Sequence, residues 1–125
     1  MYKIFNLKKH IDLEKRGFRL NLMDFFLKIG GKFKDVHFVS MKKNTIRGNH
    51  KHPKSKEWIL LWEGKFKLAV FKKRKNEIEI NVKEPILIFI PENTPHYLKN
   101  IDRRELFLIS FGSRYPMDVE SFKID

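Results

Sequence analysis

Gly48-Asn49-His50-Lys51-His52, followed by Glu57 and answered downstream by Pro91-Glu92-Asn93-Thr94-Pro95-His96, is the stretch on which the reading of this chain turns. Side chains of an extended strand alternate between faces, so His50 and His52 point to the same side and one point in space can see both imidazoles. Glu57 adds a hard oxygen donor and His96 a third nitrogen. Such a mixed shell suits zinc, manganese, iron, nickel or copper rather than calcium, and it makes His50, His52, Glu57 and His96 the candidate ligands of a divalent metal ion.

The frame around these residues is as informative as the donors. Gly48 precedes and Gly64 follows the first set, while Pro85, Pro91 and Asn100 flank His96. This pattern resembles both signature motifs of the cupin superfamily. The resemblance implies an all-β fold, an antiparallel double-stranded β-helix closed into a jelly-roll barrel with the site at its centre. Pro85 and Asn93 stand where the second motif usually has glycine. Asparagine accepts a positive φ, so Asn93 can still serve a tight turn; Pro85, lacking a backbone donor, predicts a strand start.

A chain of 125 residues predicts one domain over 1–125 that buries about two thirds of its unfolded surface. It has no apolar run of about 20 residues and no charged-then-apolar leader, so neither a membrane span nor secretion is expected, and the cytoplasm is the expected compartment. The absence of cysteine removes disulfides and thiolate ligands, leaving nitrogen and oxygen as the strong metal donors. His10 and His37, outside the frame, read as ordinary core or surface groups. With 27 Lys+Arg against 15 Asp+Glu, the net charge of +12 calls for an anionic partner. No recognition helix, zinc-finger spacing or aromatic RNA-binding strand accompanies that charge, so a small anionic ligand is expected and nucleic acid is not. Arg47, Lys51, Lys54 and Lys56 are expected to ring the barrel mouth, and Lys72-Lys73-Arg74-Lys75 to form a distant hairpin turn.

Strand signals dominate and helix signals are almost lacking. Phe66, Leu68 and Val70 alternate with Lys65 and Lys67, and Ile78, Ile80 and Val82 alternate with Glu77, Glu79 and Asn81, predicting two half-buried strands joined by the basic turn. Trp58 to Trp62 is apolar without a break, and a strand apolar on both faces needs cover on both. If Glu57 points into the barrel, parity puts Ile59 and Leu61 inside and Trp58, Leu60 and Trp62 outside. That outer stripe is expected to be a homodimer surface, with an N-terminal segment packed over it as the alternative. Residues 18 to 29 are ambiguous, since Phe18, Leu20 and Leu22 alternate while Phe25, Phe26 and Leu27 break the pattern. These segments together describe an antiparallel β-barrel or jelly roll.

The flanks narrow the resemblance. Thr45-Ile46-Arg47-Gly48-Asn49-His50-Lys51-His52, preceded by Lys15-Arg16-Gly17-Phe18 and Val36-His37-Phe38-Val39-Ser40, is similar to the sugar-nucleotide branch of the cupins. That branch includes dTDP-4-dehydrorhamnose 3,5-epimerases, 3,4-ketoisomerases and the cupin domain of capsular-polysaccharide reductases. The tail Leu108 to Asp118 is also similar to the closing strand and Tyr/Asp segment of the ketoisomerases. The resemblance implies that Arg47 meets the sugar nucleotide and that His50 moves a proton next to a keto group, with His96 as a second candidate catalytic histidine. Strand parity alone would put Arg47 and His50 on opposite faces; a bulge at Gly48 would turn Arg47 inward. Glu57 departs from the metal-free ketoisomerases, which usually carry glutamine there, and agrees with the capsular-polysaccharide type, for which a metal (zinc, manganese, iron or nickel) is implied. Three functions are therefore carried forward: a sugar or sugar-nucleotide epimerase or isomerase, a metal-dependent oxygenase or isomerase on an unrelated small substrate, and a non-enzymatic ligand-binding module.

Overall fold

A computed structural model describes residues 1–123. Strand β1 (Lys3–Asn6) leads into the small hairpin of β2 (Ile11–Glu14) and β3 (Gly17–Leu20), and then into the helix α1 (Leu22–Ile29). Next come β4 (Asp35–Met41), β5 (Ile46–Lys51), β6 (Glu57–Leu61), β7 (Gly64–Phe71) and β8 (Lys75–Val82). The chain closes with β9 (Ile86–Ile90), β10 (His96–Asn100), β11 (Leu106–Gly112) and β12 (Glu120–Ser121). The long strands form two five-stranded antiparallel sheets, ordered β1-β9-β6-β11-β4 and β12-β5-β10-β7-β8. This is the expected all-β jelly roll, with crossovers passing between the sheets rather than within one.

Parity along β6 holds as the sequence predicts. Ile59 and Leu61 join Phe66, Leu68, Ile88, Ile90 and Leu98 in the core between the sheets. Trp58 and Leu60 turn outward into a second cluster with Leu7, Phe25, Phe26, Leu87 and Phe111. The basic run Lys72 to Arg74 is the turn between β7 and β8. Pro85 immediately precedes β9, and Asn93 takes φ 56°.

The ambiguous segment resolves into a strand followed by a helix. The Asn21 side chain accepts from the Asp24 amide at 3.3 Å, and Gly30 ends the helix in the left-handed conformation at φ 69°. Both devices satisfy backbone groups that a helix end leaves open. The helix buries Phe25 and Phe26 and leaves Met23 and Leu27 exposed. Phe26 is its anchor, with its ring centroid 5.5 Å from that of Trp58, 5.3 Å from Phe111 and 5.0 Å from Phe33. The outer stripe expected to make a dimer is thus covered at Trp58 and Leu60 by the chain's own N-terminal segment. Trp62 is half-buried and stacks on Phe38, which also stacks on Phe107.

Because Phe26 is 1% exposed and joins the helix to the sheet, Phe26→Ala should destabilise the protein by about 3–5 kcal/mol through the cavity it leaves. The urea unfolding midpoint reads this directly; a loss under about 1 kcal/mol would show that α1 is not held by that ring.

Candidate active site at the barrel centre

The first half of the site depends on a bulge in β5. His50 lies opposite His96 on β10, but Gly48 already lies opposite Tyr97, so Asn49 is an extra residue in the ladder. Gly48 at φ 112° and Asn49 at φ 57° supply the positive dihedrals that such a bulge uses. A Cβ on Gly48 would come within 2.7 Å of the His96 carbonyl and 2.8 Å of the Tyr97 Cα, so the close strand approach admits only glycine there. The bulge resets parity. Arg47 falls opposite Leu98, an inward core residue, and Arg47 and His50 line the same cavity.

The second half is a buried carboxylate. Glu57, 7% exposed, opens β6 and lies in register with Ile90 and Gly112. Its Oε1 is 3.2 Å from His52 Nε2 and 2.9 Å from His96 Nε2, and its Oε2 accepts from the Ser110 hydroxyl at 2.6 Å. Each of those imidazoles is pinned from behind: His52 Nδ1 donates to the Asp118 carbonyl at 2.8 Å, and His96 Nδ1 donates to the Thr94 carbonyl at 2.8 Å. A carbonyl can only accept, so in a neutral ring Nδ1 carries the hydrogen and the Nε2 lone pair faces the carboxylate. Two lone pairs aimed at a carboxylate require positive charge between them, either extra protons or a cation. The arrangement of imidazoles anchored by backbone carbonyls is also how metal-bound histidines are oriented.

The donor atoms of His50, His52, Glu57 and His96 lie within 4.8 Å of one another, and the four residues fit a divalent ion. Within that set His50 is distinct. His52 and His96 hydrogen-bond Glu57, whereas His50 has no such bond to it among the described residues. The trio His52, Glu57 and His96 makes a two-histidine, one-carboxylate face, with the His50 ring centroid 4.6 Å from that of His52 and 5.1 Å from that of His96.

Electrostatics follow this division. Burial, reinforced by the neighbouring His96 and His52, pushes His50 down to about 4. Burial also opposes a charged His52, but the hydrogen bond and charge of Glu57 override it and raise the group above its ordinary value. For Glu57 burial pulls upward, yet the hydrogen bonds from His52 and His96 hold the carboxyl well below its usual range.

These groups sit at the base of a cavity of about 710 Å³, within the range of small-molecule sites. Its walls come from both sheets and from the segment between β11 and β12, which contributes Tyr115, Met117 and Val119. That segment is tied down through Asp118, whose carboxylate accepts from the Ser55 hydroxyl and from the Lys54 amide at 2.6 Å. Of the basic residues expected at the mouth, Arg47 alone lines the cavity; Lys51 pairs with Glu120 at 3.7 Å, and Lys56 faces a groove beside Trp58 and Phe89. Strand alternation and local tethers divert those lysines. His37, read from sequence as an ordinary group, lines the cavity with Asp35. The signal for it was parity with Val39, which also faces the cavity.

The comparisons with known proteins agree with this architecture. The family model described as "FdtA: WxcM-like, C-terminal" matches residues 1–118, and the chain belongs to that family. A 3,4-ketoisomerase from Helicobacter canadensis is 20% identical, with a TM-score of 0.75 over 90% of this chain and 83% of that one. A double mutant of the 3,4-ketoisomerase QdtA from Thermoanaerobacterium thermosaccharolyticum, in complex with TDP, is 20% identical, with a TM-score of 0.78 over 95% of this chain and 86% of that one. A dTDP-4-dehydrorhamnose 3,5-epimerase from Sulfolobus tokodaii is 17% identical, with a TM-score of 0.72 over 90% of this chain and 70% of that one. QdtA is also known as a mutant bound to TDP-4-keto-6-deoxyglucose. No curated protein sequence matches the chain.

The depressed His50 gives a pH signature. Between its ordinary value of 6.5 and about 4 the unfolded chain takes up a proton that the folded protein refuses, so stability falls as pH drops through that window and levels below it. The raised His52 acts in the opposite direction, its contribution fading only as pH rises above 6.5. In chelator-treated protein, His50→Asn should flatten the acid decline in urea midpoint; an unchanged slope would place that titration elsewhere.

Proposed function

We propose that the protein is a sugar-nucleotide isomerase or epimerase that moves protons beside a ketone, on a nucleoside diphosphate 4-keto-6-deoxy sugar. The observation that supports this best is the β5 bulge, which brings Arg47 and His50 into one cavity. Arg47 offers a planar fork of donors suited to diphosphate oxygens. His50, neutral at pH 7 because burial holds it near 4, has a free lone pair for a proton. It takes the hydrogen from the carbon adjacent to the ketone, giving an enediol. Protonation of the same carbon on its opposite face epimerises it, and delivery of the proton to the former ketone carbon exchanges ketone and hydroxyl. TDP and a TDP-keto sugar bound to a structural neighbour support this substrate class.

A divalent metal belongs to the reading as well, held by His52, Glu57 and His96 with His50 beside them. When bound, it would polarise the substrate's ketone oxygen and lower the acidity barrier at the neighbouring carbon. Nucleotide-activated sugars are cytoplasmic metabolites, so this function also carries a cytoplasmic location. Among the described residues no helix is long and apolar enough to cross a membrane.

Incubation with TDP-4-keto-6-deoxyglucose in deuterium oxide should introduce deuterium next to the ketone, detected by mass spectrometry. Arg47→Ala should weaken TDP binding by about 1.5–3 kcal/mol, the scale of a charge-assisted hydrogen bond, without releasing metal. Binding without exchange would identify a ligand-binding module instead, and oxygen uptake with iron an oxygenase.

We also propose a homodimer, through the edge of β4 rather than the covered stripe of β6. β4 is the outermost strand of its sheet, and Val36, Phe38 and Phe107 expose apolar surface there. Antiparallel pairing of two such edges about a two-fold axis would cover both at once. Sedimentation should show a dimer that Phe38→Lys converts to monomer; a wild-type monomer at high micromolar concentration would remove this interface.

A further inference from the structure

Asp35 and His37 form an acid–imidazole pair on the cavity wall that the cluster around Glu57 does not use. His37 Nε2 lies 2.9 Å from Asp35 Oδ1, and the two side chains are 59% and 7% exposed. This ion-pair contact sets the Nε2 side of the ring against the carboxylate and leaves Nδ1 on the side away from it. Nδ1 then has no hydrogen-bond partner among the described residues and is the atom available to a ligand. His37 lies opposite Ser110, the residue that donates to Glu57, so the pair is one strand away from the charged cluster. Its strand belongs to one sheet and the His50 strand to the other, so a substrate between them meets an imidazole on each wall.

An enediol isomerisation moves two kinds of proton, one between carbons and one between oxygens. A single base serves the carbons. Leaving the second transfer to water would strand a charged oxygen in a cavity where burial makes charge costly. We infer that His37, oriented by Asp35, carries the oxygen proton, an inference that rests on reading the chain as a keto-sugar isomerase. As imidazolium, its Nδ1–H protonates the ketone oxygen while His50 takes the carbon-bound hydrogen, and the neutral enediol forms. In the second half, Nδ1 takes back a proton from the neighbouring hydroxyl as that oxygen becomes the new ketone, and His50 gives its proton to the former ketone carbon. Both imidazoles finish as they began, and no oxidant or reductant is consumed. His37 is the catalytic residue in this account. Asp35 is a positioning residue that also stabilises the imidazolium.

Steady-state kinetics with TDP-4-keto-6-deoxyglucose, alongside TDP titration, test this. His37→Gln keeps a polar side chain of similar reach but cannot shuttle a proton. It should lower kcat about 100-fold or more while KM and TDP affinity change less than about threefold. Asp35→Asn should likewise lower kcat at nearly constant KM, by a smaller factor. Wild-type kcat in His37→Gln overturns the inference, and so does a variant whose loss appears in KM and TDP affinity with kcat intact. A wild-type protein that binds TDP but neither isomerises nor exchanges deuterium removes the underlying function and this inference with it. An active wild type with an unaffected His37→Gln removes this inference alone.

Discussion

The rest of the site depends on the burial of one carboxylate. Glu57 stands between the sheets with its oxygens away from water, and a charge in that position must be met by donors or a cation. Its partners come from separate parts of the chain: His96 from β10, Ser110 from β11 and His52 from the segment after β5. The carboxylate therefore fixes where the two sheets meet as well as what the cavity floor offers. Removing one partner would leave an uncompensated buried charge, a loss of about 3–5 kcal/mol in comparable cases. The outward tethers of His52 and His96 to the carbonyls of Asp118 and Thr94 aim Nε2 of each ring at the acid, and because they engage the Nδ1 hydrogens, the carboxylate is met only by a second ring proton or a cation.

A division of labour follows from which imidazoles Glu57 holds. His52 and His96 are held by it and His50 is not, although all three share one small volume. The sequence motif presents the four residues as a single ligand set, and among the described residues the hydrogen bonds join Glu57 to His52 and His96 but not to His50. Under the proposed function, a metal on that trio would leave His50 its lone pair, so that proton transfer and metal binding would not compete for the same nitrogen. The barrel itself hosts many chemistries, so the assignment rests on this local geometry and on Arg47 rather than on the fold.

Much of this was legible in the sequence because it depends on period two. The inward set Glu57, Ile59 and Leu61, the hairpin of β7 and β8, and the meeting of His50, His52, Glu57 and His96 all follow from alternation and spacing. The period is silent where a single residue interrupts it or where cover comes from a distant segment. Asn21 and Gly30 separate the strand alternation of Phe18 and Leu20 from a helix whose Phe25 and Phe26 cover the outer face of β6. That cover moved the candidate dimer surface to β4. His37 carries no motif of its own; parity with Val39 turns it inward, and its meaning comes from Asp35 two residues away and from a wall built by other strands. The lysines near the motif misled because net charge carries no direction, whereas a strand side chain does.

The most direct test of the account is a crystal structure of the protein with TDP bound. The prediction is density for the nucleotide inside the barrel, its diphosphate within hydrogen-bonding distance of the Arg47 guanidinium, with Glu57 still held by His52 and His96 beneath it. Nucleotide bound in the outer groove beside Trp58 and Lys56, or a barrel cavity with Arg47 turned to solvent and Glu57 released, would contradict it.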